Sequence, residues 1–226
     1  MTSFIEPLSR ESTPSIIADK LRRAIAHGEL KPGAQLGEAD LSRKLGVSRG
    51  PLREGMQRLT QEGLLVAIRN RGLFVVEMTP DDVRDMYVAR EAIERAAARK
   101  ILDGDHVAAG DELLLIVDQM AAAGTPAEVS ELDITFHERL LQLARSPRLS
   151  RMHQTFITET RMCIHALDES YAKSEVRDHE HRALANAIRS GDRGLTDRLL
   201  TAHMDDAIHR LTHDGNAIGG AEPAGA

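Results

Sequence analysis

Residues 41–59 read LSRKLGVSRGPLREGMQRL, and their spacing predicts a short helix, a Gly-Val turn and a second helix set with arginine. Leu41 and Leu45 share one face of the first helix, and Gly46 stands where helices commonly end in a left-handed residue. Ser48 is placed to cap the second helix by accepting a backbone N–H. On that helix Leu52, Met56 and Leu59 recur at helical spacing and mark an inward face. Arg49 and Arg53, four apart, mark a different face near its N-terminus. Taken alone, the two arginines are ordinary solvated charges on an amphipathic helix. A helix that buries one side and offers guanidinium forks from its leading turns also has the layout of a recognition helix in the major groove of DNA.

The flanks decide between these readings. Upstream, Ile16, Ile17, Leu21 and Ile25 form an apolar helical stripe that ends at His27-Gly28. Downstream, Gly63 ends the arginine helix, and two β-prone runs, LLVAI (64–68) and GLFVV (72–76), flank the basic turn Arg69-Asn70-Arg71. Three helices followed by a hairpin make a winged helix-turn-helix, with Arg71 near a wing tip able to meet phosphate or the minor groove. Double-stranded DNA is the expected partner. One recognition helix covers only a few base pairs, so the expected binding form is a symmetric homodimer on a pseudo-palindromic operator.

The segments AIAHGELKPGAQLGEADLSRKLGVSRGPLREGMQRLTQEGLL and RNRGLFV resemble the N-terminal domain of the GntR family of bacterial transcription regulators, over roughly residues 14–77. The resemblance implies that Arg49 and Arg53 contact bases or nearby phosphates and that Gly72 shapes the wing tip. Three positions depart from the family pattern: Gly50 replaces a usual threonine, Gly55 a small helix former, and Ala39 an arginine found in some members. No contact is assigned to Ala39. Glycine inside a helix costs about 0.5–1 kcal/mol relative to alanine, so Gly50 and Gly55 predict a recognition helix that firms up on DNA.

The chain of 226 residues is long enough for two domains, and its 42% hydrophobic content can fill real cores. With 3% aromatic residues and no Trp, aliphatic helix packing is expected. A net charge of −6 looks wrong for a DNA binder until it is divided. Residues 1–78 carry 12 Lys+Arg against 9 Asp+Glu, net +3; residues 79–226 carry 17 against 26, net −9. A DNA-reading module joined to a module of another kind should show this asymmetry. Neither an export signal nor an 18-residue apolar run is present, so a cytoplasmic protein without a membrane segment is expected. The single Cys163 excludes an intrachain disulfide and fits a reducing compartment.

These features divide the chain into a winged helix-turn-helix DNA-binding domain at 1–78, an all-α ligand-binding and dimerisation domain at 79–213, and a disordered tail at 214–226. Residues 1–10 also have the composition of a disordered end. Thr79-Pro80-Asp81-Asp82 is a helix start, and helices are expected over 80–102, 106–122, 126–144, 148–169, 174–190 and 193–212.

Nine of the ten histidines lie in this half, and periodicity sorts them. Asp133 and His137, about 40° apart around a helix axis, share a face with Val129, Phe136 and Leu140. His181 lines up with Leu184, Ala185 and Ile188, whereas His179 follows Arg182 and Ala183 on the other side. His203 lines up with Leu199, Leu200 and Ala207, while His209 follows Asp205 and Asp206 to solvent. His153, beside Phe156 and Ile157, is a nearby lining residue, and His165 and His213 read as surface. Three imidazoles and a carboxylate thus converge on a bundle interior. A single buried histidine is usually just hydrogen-bonded, but an unpaired buried carboxylate costs several kcal/mol. Such a set suits zinc, nickel or a similar divalent transition ion with coordination left over. A metal-free Asp–His hydrogen-bond network satisfies the same spacing.

The runs LDITFHERLL, EHRALANAIRSGD and LLTAHM resemble the C-terminal FCD ligand-binding domain of the FadR subfamily, over roughly residues 80–212. The resemblance implies that Asp133, His137, His181 and His203 hold a metal whose open sites face a cavity for small carboxylates. It also implies that Arg90, in YVAREAIE, lines that cavity and could hold a carboxylate bidentately. A surface Arg90 pairing with Glu94 or Asp85 is the competing reading. The whole predicts a ligand-responsive DNA-binding transcription regulator with a divalent metal, zinc first, and a small organic acid effector. Two other classes compete: a regulator for which the ion itself is the signal, and a metal-dependent hydrolase. The hydrolase is disfavoured because the nearby candidate bases, Glu138 and Glu180, are expected to lean outward, and because an enzyme needs no DNA head.

Overall fold

The computed structural model describes residues 12–166 and 174–213. The segments expected to be disordered, 1–10 and 214–226, lie outside the described residues, as does the end of the helix expected over 148–169. The chain divides into two compact units between Glu77 and Met78.

The first unit contains α1 (Thr13–Ala26), β1 (Gln35–Leu36), α2 (Glu38–Leu45), α3 (Arg49–Gln61), β2 (Leu65–Ile68) and β3 (Gly72–Val75). Helix α1 starts on Ser12, whose hydroxyl accepts from the Ser15 N–H, and buries Ile17, Ala18, Leu21, Ile25 and Ala26. Ile16, expected in that stripe, is 42% exposed. The buried face is centred on positions 17, 21 and 25, and one residue earlier turns about 100° away from it. Gly46 ends α2 at φ 65°, the left-handed conformation expected of it. Ser48 does occupy the N-cap of α3, but its hydroxyl makes no capping bond and is exposed.

Helix α3 buries Leu52, Gly55, Met56 and Leu59. A Cβ on Gly55 would lie 2.9 Å from Ile17 Cγ2 and 3.0 Å from the Pro14 carbonyl, so α1 crosses α3 at this glycine. Gly55 is therefore a requirement of packing rather than a defect of the helix. Gly50 faces open space, and nothing in the structure requires it. The expected hairpin is present as β2 against β3, with Ile68 opposite Gly72, and β1 adds a third strand on the far side of β3. Strand β1 is two residues long, too short for any periodic signal in the sequence.

The second unit is helical: α4 (Pro80–Leu102), α5 (His106–Ala122), α6 (Pro126–Leu143), α7 (Pro147–Gln154), α8 (Ile157–Ala166), α9 (Ser174–Ser190) and α10 (Arg193–His213). Helices α4 and α6 each open with proline behind a complete capping box, Thr79 with Asp82 and Thr125 with Glu128. These boxes satisfy two otherwise orphaned N–H groups per helix. The single helix expected over 148–169 is instead two, broken at Thr155-Phe156. There the Thr155 hydroxyl donates to the Met152 carbonyl at 2.7 Å, offering the backbone a local alternative to the helical ladder.

The core of this unit gathers Ala97 and Ile101 from α4, Leu113 and Val117 from α5, Phe136 and Leu140 from α6, Ala185 and Ile188 from α9, and Leu200 from α10. Helices α5 and α9 meet so closely at Gly110 that a Cβ there would fall 2.6 Å from the Arg189 Cα. Helix α10 is tied to α4 by Arg95, which donates to both Asp197 carboxylate oxygens at 2.7 and 2.6 Å. Close packing of α4, α6, α9 and α10 brings residues from four helices within reach of one buried point.

Candidate functional site

Two groups of side chains matter, one in each unit. In the first, Arg49 and Arg53 occupy the opening turns of α3 and are both exposed. The Arg53 guanidinium donates through Nε to Glu38 at 2.8 Å, so α2 holds it from the side. Nothing in the spacing of residues 38 and 53 signals that pair. At the wing, Asn70 takes a left-handed φ of 63° and Gly72 a φ of 103°. The second value is costly for any residue with a Cβ, which accounts for the glycine. Gln35 donates to the Arg71 carbonyl, and the Arg71 guanidinium lies over the Phe74 ring at 5.3 Å from its centroid. Strand β1 thus braces the turn that carries Arg71.

In the second unit, Asp133 and His137 project from α6, His181 from α9 and His203 from α10. His137 and His181 are 1% exposed and Asp133 4%. One ring nitrogen from each of the three histidines lies within 4.8 Å of the other two. The Nε2 atoms of His137 and His181 are 3.3 Å apart, and Asp133 Oδ1 lies 3.3 Å from the first and 3.6 Å from the second. All four expected residues are therefore brought together.

Each imidazole is oriented by a partner at its other nitrogen. His137 Nδ1 meets Glu94 Oε2 at 2.7 Å, His181 Nδ1 meets the Arg177 carbonyl at 2.8 Å, and His203 Nδ1 meets Glu180 Oε2 at 3.2 Å. Oxygen acceptors at these positions put the proton on Nδ1 and leave the lone pair on Nε2. Two lone pairs facing each other at 3.3 Å repel unless a cation stands between them, whether a proton or a metal ion. Ligand atoms about 2.0–2.1 Å from a tetrahedral zinc lie about 3.3–3.4 Å from one another. The donor set and its spacing fit a divalent transition ion. Asp133 Oδ1 points the same way: it is buried with no hydrogen-bond partner among the described residues.

The surrounding charges follow from burial and pairing. Burial pushes the Asp133 carboxyl up, but His181 and His137 pull it well below the usual carboxylate range. Burial likewise opposes ionisation of Glu94, and His137 and Arg90 overcome it and hold the carboxylate ionised. The His137 imidazole is raised from its ordinary value: burial and Arg90 lower it, and Glu94 and Asp133 more than compensate. Burial depresses His203 to about 4 despite its bond to Glu180.

Several expectations need correction. Arg90 is not a surface residue: it is 1% exposed and donates through Nε to Glu94 Oε1 at 2.7 Å, inside the bundle. Glu180 does not lean outward, since it is half-buried and holds His203. Glu138 is half-buried too, occupied by Arg161 at 3.2 Å. His165 is not free surface; its Nε2 meets Glu131 at 3.2 Å. The side chain of His213 lies outside the described residues.

Sequence reading passed over Arg177 and Ser130, and it named Glu94 and Glu180 without seeing that they hold His137 and His203. Arg177 is 1% exposed, places Nε 3.7 Å from Asp133 Oδ2 and donates through Nη1 to Ser130 at 2.8 Å. Its place one turn before His181 was the available signal.

The family model described as bacterial regulatory proteins, gntR family, matches residues 15–75, and the FCD domain model matches residues 85–206. The chain is 26% identical over 202 residues to the uncharacterized HTH-type transcriptional regulator YdhC of Bacillus subtilis, covering 86% of this chain and 89% of that protein. It is also 26% identical over 226 residues to the "Probable D-xylose utilization operon transcriptional repressor" of Paenarthrobacter nicotinovorans, covering 99% of this chain and 100% of that one. A crystal structure from Rhodococcus sp. RHA1, described as a GntR transcriptional regulator, superposes with a TM-score of 0.75 at 27% identity, covering 88% of this chain and 97% of the other.

Proposed function

The chain belongs to the GntR family of bacterial transcription regulators, with an FCD-type second domain, and from that premise we propose that its hold on DNA answers to a small organic acid bound beside a divalent metal. Members of this family are DNA-binding regulators, not enzymes. The observation that carries the ligand half is the set of three imidazoles, each with Nδ1 held by an oxygen and all three converging beside an unsatisfied carboxylate oxygen.

Asp133, His137, His181 and His203 would hold the metal, with zinc the first candidate and nickel also suited to nitrogen and oxygen donors. Bound there, the ion would supply an electrophilic centre for an acidic oxygen. Glu94, the Arg177 carbonyl and Glu180 fix the rings, and outer partners of this kind typically contribute 10–100-fold in metal affinity. Charge balance favours an anionic effector. Arg90 with Glu94 and Arg177 with Asp133 already cancel in the interior. A divalent ion adds two positive charges, and an uncompensated buried charge is expensive. An acid carboxylate offsets it, with Arg90 as a further donor.

In the first unit, Arg49 and Arg53 would read base edges or nearby phosphates, with Ser48, Arg71 and Gly72 contributing backbone contacts from the helix start and the wing. The reading includes a homodimer on a pseudo-palindromic operator, since two half-sites double the contacts. Effector binding across α4, α6, α9 and α10 can shift the DNA-binding equilibrium only by its differential affinity for two helix arrangements.

Elemental analysis of the purified protein beside Asp133→Ala and His203→Ala tests the metal. About one transition metal per chain, lost in both variants, is the expected result. Metal-free protein after reconstitution with zinc and nickel would reduce the cluster to a hydrogen-bond network. Operator affinity that changes over a metal titration with no acid present would make the ion the signal.

A further inference from the structure

Helix α3 buries Leu52, Gly55, Met56 and Leu59. At about 3.6 residues per turn, the stripe on its opposite side carries Gly50, Glu54 and Gln57, and all three are exposed. Arg49 and Arg53 stand to one side of that stripe. The side chain that faces straight out of the leading turns is therefore an acid, Glu54, with a bare Gly50 one turn before it.

An acid here is at odds with the charge of DNA. A carboxylate on the face that enters a polyanion is repelled unless it accepts a hydrogen bond there. Glu54 is not occupied within the protein either. Arg58, four residues on, is its natural ion-pair partner on the helix surface, yet the Arg58 Nη1 donates to the Ser15 hydroxyl. Arg53 is taken by Glu38. Among the described residues Glu54 has no hydrogen bond or ion pair.

Gly50 points the same way. Glycine weakens a helix relative to alanine. Gly55 has its reason in the crossing of α1, but a Cβ on Gly50 would meet nothing within 4 Å. A glycine that its own fold does not need suits a close approach of the backbone to another molecule. With no side chain at position 50, the leading turns can seat deeply and bring Glu54 to the base edges.

Resting on the reading of α3 as the base-reading helix, we propose that Glu54 is a specificity-determining residue of the DNA interface. It accepts a hydrogen bond from the N4 amino group of a cytosine in the major groove, beside the positions met by Arg49 and Arg53. A carboxylate only accepts. Guanine and thymine offer it no donor in that groove, and the N6 donor of adenine stands next to the N7 acceptor, which repels it. Cytosine is the base that remains, so each half-site should carry a C·G pair fixed by this residue.

The test is selection by the full-length protein from a pool of duplexes with a randomised central segment. Glu54→Gln, Glu54→Ala, Arg49→Ala and Arg53→Ala are run in parallel, and enriched duplexes and their single-base variants are titrated by anisotropy at fixed salt. The expected result is one cytosine per half-site favoured about tenfold over the other bases. Glu54→Gln should move that preference to adenine, which a glutamine amide meets bidentately, and leave the other positions as they were. Glu54→Ala should erase it.

A solvated carboxylate would leave both Glu54 variants enriching the wild-type sequence, and that result overturns the proposal. If the arginine variants change the selection while the Glu54 variants do not, α3 remains the reader and only the Glu54 assignment falls. If none of the four variants departs from the wild type, the reading of α3 falls and this assignment with it.

Discussion

Two arginine–glutamate pairs in this protein have nearly the same length and opposite meanings. Arg53 meets Glu38 at 2.8 Å with the side chains 63% and 34% exposed, whereas Arg90 meets Glu94 at 2.7 Å with both at 1% or less. Water surrounds the first pair, so either partner can let go and be solvated at little cost. The second pair has no water to fall back on, and breaking it strands a charge in the bundle. The first setting suits the DNA contact proposed for Arg53, and the second suits the fixed ligand donor proposed for Arg90.

The largest effect should come from the buried pair. Glu94→Ala leaves Arg90 without its counter-ion and should cost about 3–5 kcal/mol in urea unfolding of the metal-free protein. A loss under about 1 kcal/mol would mean that Arg90 reaches water, and the contrast between the two pairs would collapse. Next, Arg49→Ala should weaken operator binding by about 1–3 kcal/mol in an anisotropy titration at fixed salt while leaving the unfolding curve in place. Unchanged operator affinity would remove Arg49 from the interface.

Acid should act on the second unit through His153. The unfolded chain protonates residue 153 below about pH 6.5, but the folded protein does so only near 4, because burial depresses the imidazole. Between those values the unfolded state binds more protons, so stability falls as pH falls through that window. His153→Phe should flatten the dependence by up to about 1.4 kcal/mol per pH unit at its steepest, measured by unfolding at a series of pH values. An unaltered slope would show that the ring titrates normally in the fold. Smallest of all, Glu38→Ala should change stability by no more than about 1 kcal/mol. A loss as large as that of Glu94→Ala would show that exposure does not separate the two pairs.

Much of this was legible in the residues. Gly46 announced a helix end, Thr79-Pro80 and Thr125-Pro126 announced helix starts, and the face shared by Asp133 with His137 followed from their spacing. Local chemistry of that kind leaves a local mark. The break at Thr155 was missed because the run on either side keeps helical composition, while the interruption lies in backbone bonds from Thr155 and Phe156 to carbonyls three residues back and in the Thr155 hydroxyl bond to Met152. Gly55 has a second role that stayed hidden for a different reason. Propensity weighs a residue against its own helix, whereas this glycine is set by Ile17 and Pro14 on another one.

What the sequence determined by itself was the winged helix-turn-helix, the helical character of the second half, and the identity of three histidines and an aspartate with an inward face. Each rests on periodicity, and periodicity is a property of neighbours three or four positions apart. Only the tertiary structure decided which nitrogen each histidine turns to the centre, because Glu94, the Arg177 carbonyl and Glu180 make that choice. It also decided that Arg90 is buried with Glu94 rather than solvated. Amphipathic spacing names a face, but how far water reaches along it depends on which helices pack against it, and no single helix carries that information.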